Sequence, residues 1–193
     1  MQINEELWSE EQYGVLVGFI HHLAYYRILS KAYSNLQLKS EFWTRTTDAH
    51  ILRAVINWCM VFGADSSELH WKKVIVDKIA QSDFRNHPLR VLGLTNAQWK
   101  AFWTGVTDFR NRYAAHRDSP YPSIPVGTVD IALKVVVAYD GWFRQRVDAV
   151  FDEPPLDERY DRLIRASSEP LRQLVSLGPT LEQEYEGQVP PRD

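Results

Sequence analysis

The feature that most constrains the fold of this chain is a helical spacing of apolar residues, which continues along most of its length. In the segment after Ser9, apolar side chains recur every three or four residues, at Tyr13, Leu16, Val17, Ile20, Leu23, Ala24 and Ile28. This interval matches the turn of an α-helix and not the strict alternation of a half-buried strand. We therefore predict an all-α fold, most simply an up-down bundle of four to five long helices with a short extra helix and a C-terminal helix.

Capping and stop signals predict where the first two long helices begin and end. The spacing from Ser9 to Gln12 is that of a capping box, so a helix should start at Ser9 and run to about Lys39. A second helix should span residues 41–62, because Gly63 follows its apolar stripe as a stop signal.

The middle of the chain predicts a short helix followed by irregular structure. Residues 65–67 offer an N-cap for a helix over about residues 68–80. Residues 81–94 look irregular because Pro88 and Gly93 interrupt them.

The C-terminal half of the chain predicts three further helices. A capping box at Thr95 opens the first of them. A proline-rich loop follows, and the next helix should begin at Thr128 or Asp130. The last helix should span about residues 156–177, with Pro170 as a candidate break.

Composition predicts one cytoplasmic domain without a disulfide. The chain has 193 residues, of which 45% are hydrophobic, so it can bury one core. We expect a single helical domain over residues 1–177 and a polar, frayed tail over residues 178–193. The one cysteine, Cys59, cannot form an internal disulfide, and no segment resembles a membrane span or a signal peptide. We therefore expect a cytoplasmic protein without a membrane partner.

The densest cluster of functional side chains lies at the end of the Thr95 helix and includes Arg110, Asn111 and His116. On a regular helix, Arg110 falls on the same side as the apolar stripe that begins at Trp99. An unpaired charge on a buried stripe is costly, so Arg110 needs a partner or a cleft. The net charge is −3, so any surface that binds nucleic acid must be local.

These residue types suit phosphodiester chemistry. Histidine moves protons near neutral pH, arginine offers a charged fork to phosphate oxygens, and asparagine can hold a phosphate or a sugar hydroxyl. No carboxylate cluster or glycine-rich phosphate loop accompanies them, so we expect neither a metal nor a cofactor. His21 and His22 are adjacent and diverge by about 100° on a helix, so they do not chelate one ion well.

The order of Arg110, Asn111 and His116, with a short spacer before the histidine, resembles the signature of the HEPN superfamily. The continuation over residues 115–118 is similar to its abortive-infection branch, the AbiU-like proteins. The resemblance covers roughly residues 9–151. It implies a HEPN-like helical bundle that acts as a homodimer.

The resemblance also implies a metal-independent endoribonuclease, a toxin held by a cognate antitoxin or a phage-defence effector. Arg110 would bind and neutralise the scissile phosphate of RNA, and Asn111 would orient it. His116 would act as general acid or base while the ribose 2′-hydroxyl attacks, leaving a 2′,3′-cyclic phosphate and a 5′-hydroxyl. Weaker candidates for RNA contacts are Arg112, Arg117, Lys72 and Lys73.

A second class of function stays open at this point, a non-catalytic dimeric scaffold or partner-binding module. Cations near the end of a helix stabilise its dipole, so Arg112, His116 and Arg117 also suit a purely structural role. In that class, Arg110 could be locked in a buried pair with a carboxylate, for which the candidates are Asp48, Asp108 and Asp140.

Overall fold

The structure is a computed structural model that describes residues 2–34, 40–116, 124–147 and 152–186, with the backbone alone at 114–116 and 178–186. The helices in these ranges are α1 (Tyr13–Ser34), α2 (Glu41–Phe62), α3 (Trp71–Val74), α4 (Lys78–Leu92), α5 (Asn96–Arg110), α6 (Val126–Arg144) and α7 (Leu156–Glu186). Two π-helical segments, Leu7–Gln12 and Asn111–His116, precede α1 and follow α5. The described residues contain no strand, only an isolated bridge between Ile3 and Ile75, and the predicted all-α bundle is confirmed.

The first two long helices form an antiparallel pair. His22 of α1 lies against His50 of α2, and near the other end of the pair the Tyr33 hydroxyl donates to the Ser40 carbonyl. Ser40 is the N-cap of α2, where its side chain accepts the N–H of Trp43. The α2 helix begins and ends as predicted.

The α5 helix runs antiparallel to α2, which places the candidate site. The Trp103 indole N–H donates to the carbonyl of Phe62 at the end of α2, at 2.8 Å. Beyond α5, the Tyr113 hydroxyl hydrogen-bonds Asp48 in the first half of α2. The side of α5 that carries Trp103 and Arg110 therefore follows α2 along its length.

Aromatic side chains and one buried amide fill the centre of the bundle. Trp8 stacks on Phe143 with ring centroids 4.0 Å apart. The Tyr139 hydroxyl donates to the Gln12 amide oxygen at 2.7 Å, and the amide nitrogen donates to the carbonyl of Leu69 at 2.8 Å. Gln12 is fully buried, and these two bonds offset the cost of removing its amide from water.

Local signals mark two further element boundaries, of which the sequence predicted the one at Thr95. Thr95 and Gln98 form the predicted capping box at the start of α5. Gly93 adopts a left-handed conformation with φ of 64° and ends α4, because only glycine enters this region without strain.

The predicted start of the first helix at Ser9 is wrong. Helical backbone begins at Glu5, and the Asn4 side chain accepts the N–H of Leu7 at 3.1 Å. Asn4 therefore acts as the cap, while Ser9 lies inside the first π-helical segment. The predicted end near Lys39 lies outside the described residues.

The predicted short helix over 68–80 and the irregular segment over 81–94 are also wrong. The first contains the single turn of α3 and the first three residues of α4. The α4 helix, capped by Asp77, occupies most of the second. Pro88 lies inside α4 and is buried, on the same side as Phe84. Packing of this side against the core offsets the hydrogen bond that a proline removes from a helix.

The last two helices differ from their predicted bounds. The α6 helix begins at Val126, before Thr128 and Asp130. The α7 helix passes through Pro170 and continues to Glu186, beyond the boundary expected at residue 177. Val175 of α7 is buried against Leu29 and Trp43, so tertiary contacts hold the helix together after the proline.

Candidate functional site

The candidate site lies where α5 ends and the second π-helical segment begins. Arg110 is the last residue of α5, and Asn111 to His116 form the π-helical segment. A π-helix bonds residues five apart, so Asn111 and His116 bracket one wide turn. This backbone differs from the regular helix assumed in the sequence analysis and brings position 116 closer above position 111.

Arg110 and Asn111 are joined through their side chains. Nε and Nη2 of Arg110 donate to the amide oxygen of Asn111 at 3.0 and 2.8 Å. Arg110 is half-buried, while Asn111 is exposed. Asn111 occupies one edge of the guanidinium and leaves Nη1 without an acceptor among the residues described in the structure.

Within the described ranges, Arg110 forms no ion pair with a carboxylate. Asp140 is occupied elsewhere, because its carboxylate accepts Nε of Arg144 at 2.8 Å and the N–H of Leu156 at 3.0 Å. Asp48 accepts the Tyr113 hydroxyl. The carboxylate partners considered for a locked arginine therefore do not hold it.

Arg110 lies near Cys59, whose thiol is buried in α2. Burial raises the pKa of this thiol to about 12, although the positive charge of Arg110 acts in the opposite direction. Cys59 is therefore a neutral thiol at physiological pH and is not a nucleophile.

A cleft of about 370 Å³ opens between α2 and Tyr113. It is lined by Glu41, Thr44, Arg45, Asp48, Ala49, Leu52 and Tyr113. Burial raises the pKa of Asp48, and the hydrogen bond from Tyr113 partly opposes this effect. Glu41 and Arg45 form an ion pair, which leaves Asp48 as the charge in excess. The cleft is thus mildly acidic and disfavours a phosphate.

The remaining sequence candidates fall into two groups. Arg112 is exposed beside Asn111, whereas Arg117 lies outside the described residues and His116 is described by its backbone alone. Lys72 and Lys73 belong to α3, away from the motif, and form ion pairs with Asp65 and Glu68 respectively. The structure therefore joins Arg110, Asn111 and Arg112 in one place and does not bring the two lysines to it.

The histidines of α1 and α2 form a pair that the sequence did not predict. Nδ1 of His22 and Nδ1 of His50 are 2.9 Å apart, so one ring donates to the other. Burial is the main cause that lowers the pKa of both rings. Nowhere in the described part of the chain do three histidine, cysteine or acidic side chains form a group that could hold a metal ion.

Sequence reasoning missed the pair of Tyr113 and Asp48. Asp48 was considered only as a partner for Arg110, and Tyr113 only as part of the apolar stripe of its helix, because the two residues are far apart in the chain. Tyr113 does fall within the span from Arg110 to His116. A polar aromatic residue inside a functional motif was the one signal available for it.

Comparisons of the chain with protein-family models, with curated proteins and with solved structures give no match. None of the helices in the described ranges combines the length and apolar character that crossing a membrane requires. The function must therefore be argued from the side chains at the end of α5.

Proposed function

We propose that this protein is a metal-independent endoribonuclease of the HEPN type, in which Arg110, Asn111 and His116 form the catalytic site. It acts in the cytoplasm as a homodimeric toxin or phage-defence effector, under the control of a cognate antitoxin where one exists. Both the family and the activity rest on the motif, since no relative of known function supports them.

The observation that carries this proposal is the state of Arg110. Its guanidinium is oriented by Asn111, has no carboxylate partner among the described residues, and is half-exposed. A structural arginine on a buried face is normally neutralised, because an unpaired charge there costs several kcal/mol. An arginine that is held in place and still has free N–H groups is suited to bind a phosphate.

The electrostatics around the motif indicate where the RNA backbone would lie. The cleft beside Tyr113 carries the excess negative charge of Asp48 and would repel a phosphate. Arg112 is exposed next to Asn111 and adds a second positive charge near the motif. The scissile phosphate is therefore assigned to Arg110, outside the cleft.

The reaction proposed for these residues is an internal transesterification. A base removes the proton of the ribose 2′-hydroxyl, the 2′-oxygen attacks the adjacent phosphorus, and the bond to the 5′-oxygen breaks. The 5′-oxygen then receives a proton from an acid. His116 supplies one of these proton transfers, and in a homodimer His116 of the partner subunit can supply the other. Arg110 stabilises the charge that develops on the phosphate.

Incubation of the purified protein with total RNA in excess EDTA tests this activity. We expect wild type to leave 2′,3′-cyclic phosphate and 5′-hydroxyl ends. His116→Ala should lose about 10²–10⁴ of the rate, and Arg110→Ala about 10²–10³. Lys100→Ala is the matched control, because it removes an exposed cation from the same helix. Equal cleavage by wild type and both motif variants would show that the motif is not the site.

Mixing Arg110→Ala with His116→Ala tests the shared groove of the proposed homodimer. If each site pairs Arg110 of one subunit with His116 of the other, a mixed dimer contains one intact pair and part of the activity returns. If each subunit holds a complete site, the mixture stays inactive. Sedimentation of each variant checks that dimers form in both cases.

The alternative function is a non-catalytic dimeric scaffold or partner-binding module. It is favoured by the exposed apolar side chains on several helices, which include Ile79 of α4 at 83% exposure and Leu177 of α7 at 57%. This alternative predicts that folded wild type and His116→Ala are equally inactive on RNA. It also predicts that Arg110→Ala leaves the oligomeric state unchanged.

A further inference from the structure

A second cleft lies at the opposite end of α5 from the motif. It measures about 200 Å³ and is lined by the end of α2, by α3, by α4, by the first turns of α5 and by Val135 of α6. We call it the tryptophan cleft after Trp71, Trp99 and Trp103 in its wall. None of the residues proposed for catalysis lines it.

The two tryptophans of α5 form an aromatic wall. Trp99 and Trp103 are four residues apart and therefore lie one above the other on the helix. Both remain half-buried, although tryptophan is usually among the most buried residues. The indole N–H of Trp103 is bonded to the Phe62 carbonyl, which fixes the orientation of its ring. Two rings that are held in place and partly open to solvent offer a surface for stacking.

The other polar groups at the cleft are internally neutralised. Asp65 forms an ion pair with Lys72 and lies 3.4 Å from Nε2 of His70. Nδ1 of His70 accepts the N–H of Lys72, so Nε2 carries the ring proton and faces Asp65. Burial lowers the pKa of His70 to about 4, so its ring is neutral at physiological pH. These three residues together contribute no net charge.

Arg85 is the charge that remains. It is exposed at the rim of the cleft, and no hydrogen bond or ion pair joins it to a described residue. Asp65 is close enough for Arg85 to lower its pKa, but the hydrogen bond from Lys72 has the larger effect on that carboxyl. The rim therefore carries one net positive charge and favours an anionic ligand.

We propose that the tryptophan cleft binds one nucleotide, with its base stacked on Trp99 and Trp103 and its phosphate paired to Arg85. Aromatic walls stack on any base, and an arginine fork matches phosphate oxygens. The volume is below the roughly 300 Å³ typical of sites for larger ligands, so the cleft encloses a base and leaves the phosphate at the rim. The positive rim excludes a ligand that carries an ammonium group into the aromatic wall.

The nucleotide has two potential sources, a free mononucleotide or one unit of an RNA chain. Trp103 and Trp99 precede Arg110 on the same side of α5, at about 10 Å and about 16 Å along its axis. Stacked strands place one phosphate about every 3.4 Å, so this span corresponds to about three to five nucleotides. An RNA strand could therefore occupy the cleft and the motif together. This second source rests on the proposed function, whereas binding of a mononucleotide does not.

Equilibrium dialysis of the full-length protein with AMP tests the proposal. Adenosine, which lacks the phosphate, and ribose 5-phosphate, which lacks the base, are the comparison probes. We expect AMP to bind more tightly than either probe. Trp99→Ala should weaken binding of AMP at least about fivefold, and Trp99→Phe should restore part of it because stacking returns. Arg85→Gln should reduce the affinity for AMP to that for adenosine. Lys100→Gln, which removes a cation outside the cleft, should change nothing.

A 2′-O-methyl RNA hexamer distinguishes the two sources, because it cannot be cleaved by attack of a 2′-hydroxyl. Tighter binding of the hexamer than of AMP, weakened by both Trp99→Ala and Arg110→Ala, would assign the cleft to the RNA strand. Equal affinities would assign it to a free nucleotide. If neither AMP nor the hexamer shows binding that depends on Trp99, with Trp99→Ala still folded by circular dichroism, the proposal is overturned. These readings do not require cleavage, so loss of the ribonuclease activity alone leaves them intact.

Discussion

The two π-helical segments have the same backbone and opposite surroundings. In the first, Trp8 and Gln12 are buried, and both contact α6 through Phe143 and Tyr139. In the second, Asn111 and Arg112 are exposed, and the neighbouring Arg110 keeps free N–H groups.

This difference shows that a π-helical turn does not by itself indicate a functional site. In the first segment, the wider turn lets Gln12 reach the Leu69 carbonyl and the Tyr139 hydroxyl together. Tertiary contacts of the buried side chains thus stabilise an irregular backbone in this segment. In the second segment, Asn111 and Arg112 are exposed to solvent, where a ligand can reach them. We therefore expect substitutions in the first segment to change stability and those in the second to change activity.

The largest expected loss of stability distinguishes the first π-helical segment from the second. Trp8→Ala should lower the free energy of unfolding by about 3–5 kcal/mol, because a large ring that is 2% exposed is replaced by a cavity. Asn111→Ala is the control from the second segment. Urea denaturation measures both, and comparable losses in the two variants would remove the distinction.

The next largest effect is a dependence of the free energy of unfolding on pH. It arises at His70, next to the Leu69 carbonyl that the first π-helical segment contacts. Gln12 donates to the carbonyl of Leu69, next to His70, whose pKa is lowered from 6.5 to about 4 by burial. Below pH 6.5 the unfolded chain takes up a proton that the folded protein does not bind until about pH 4. The free energy of unfolding should therefore fall between these two pH values, by about 3 kcal/mol in total.

His70→Asn is the matched variant for this pH effect. Asparagine can still cap α3 at this position but does not titrate. We expect the free energy of unfolding of His70→Asn to fall less between pH 6.5 and pH 4 than that of wild type. The other histidines titrate in both proteins, so the difference isolates His70. Parallel curves for the two proteins would contradict the assignment.

A smaller effect is expected from the polar contact inside the core. Tyr139→Phe removes the hydroxyl that donates to Gln12, and Gln12→Leu removes its acceptor. Each change leaves a buried polar group without a partner and should cost about 1–3 kcal/mol. The double variant should lose less than the sum, with a coupling of about 0.5 kcal/mol or more. Additive losses in urea denaturation would mean that the two groups do not interact.

The smallest change in stability is expected in the second segment. Arg112→Ala alters an exposed side chain, so the free energy of unfolding should stay within about 0.5 kcal/mol of wild type. If Arg112 borders the RNA, the same variant should weaken binding of RNA and reduce its dependence on salt. Titration of labelled RNA at two salt concentrations provides this measurement, and an unchanged salt dependence would exclude Arg112 from the interface.

The elements that were predicted correctly are those whose signals are local. Gly63 and Thr95 mark helix ends through hydrogen bonds within a few residues. The prolines at 88 and 170 misled the sequence reading, because their local cost is real but is offset by contacts with distant residues. Local rules cannot include such compensation.

The candidate site also combines contacts between chain neighbours with contacts between residues that are distant in the chain. Arg110 and Asn111 are neighbours in the chain, so the sequence suffices to place them together. Asp48 and Tyr113 meet only because α5 runs antiparallel to α2. The tryptophan cleft likewise combines five helices, and Arg85 reaches its rim because α4 is a helix where the sequence predicted irregular chain.

The sequence by itself determined the helical class, most of the long helices and the row of polar residues that ends α5, because spacing and capping act over one or two turns. The tertiary structure alone decided which arginines lack a carboxylate partner among the described residues, which turns widen into π-helices and where the two clefts open. These properties depend on burial and on partners that are distant in the chain. Their free energies are therefore set by the packed bundle and not by the local sequence.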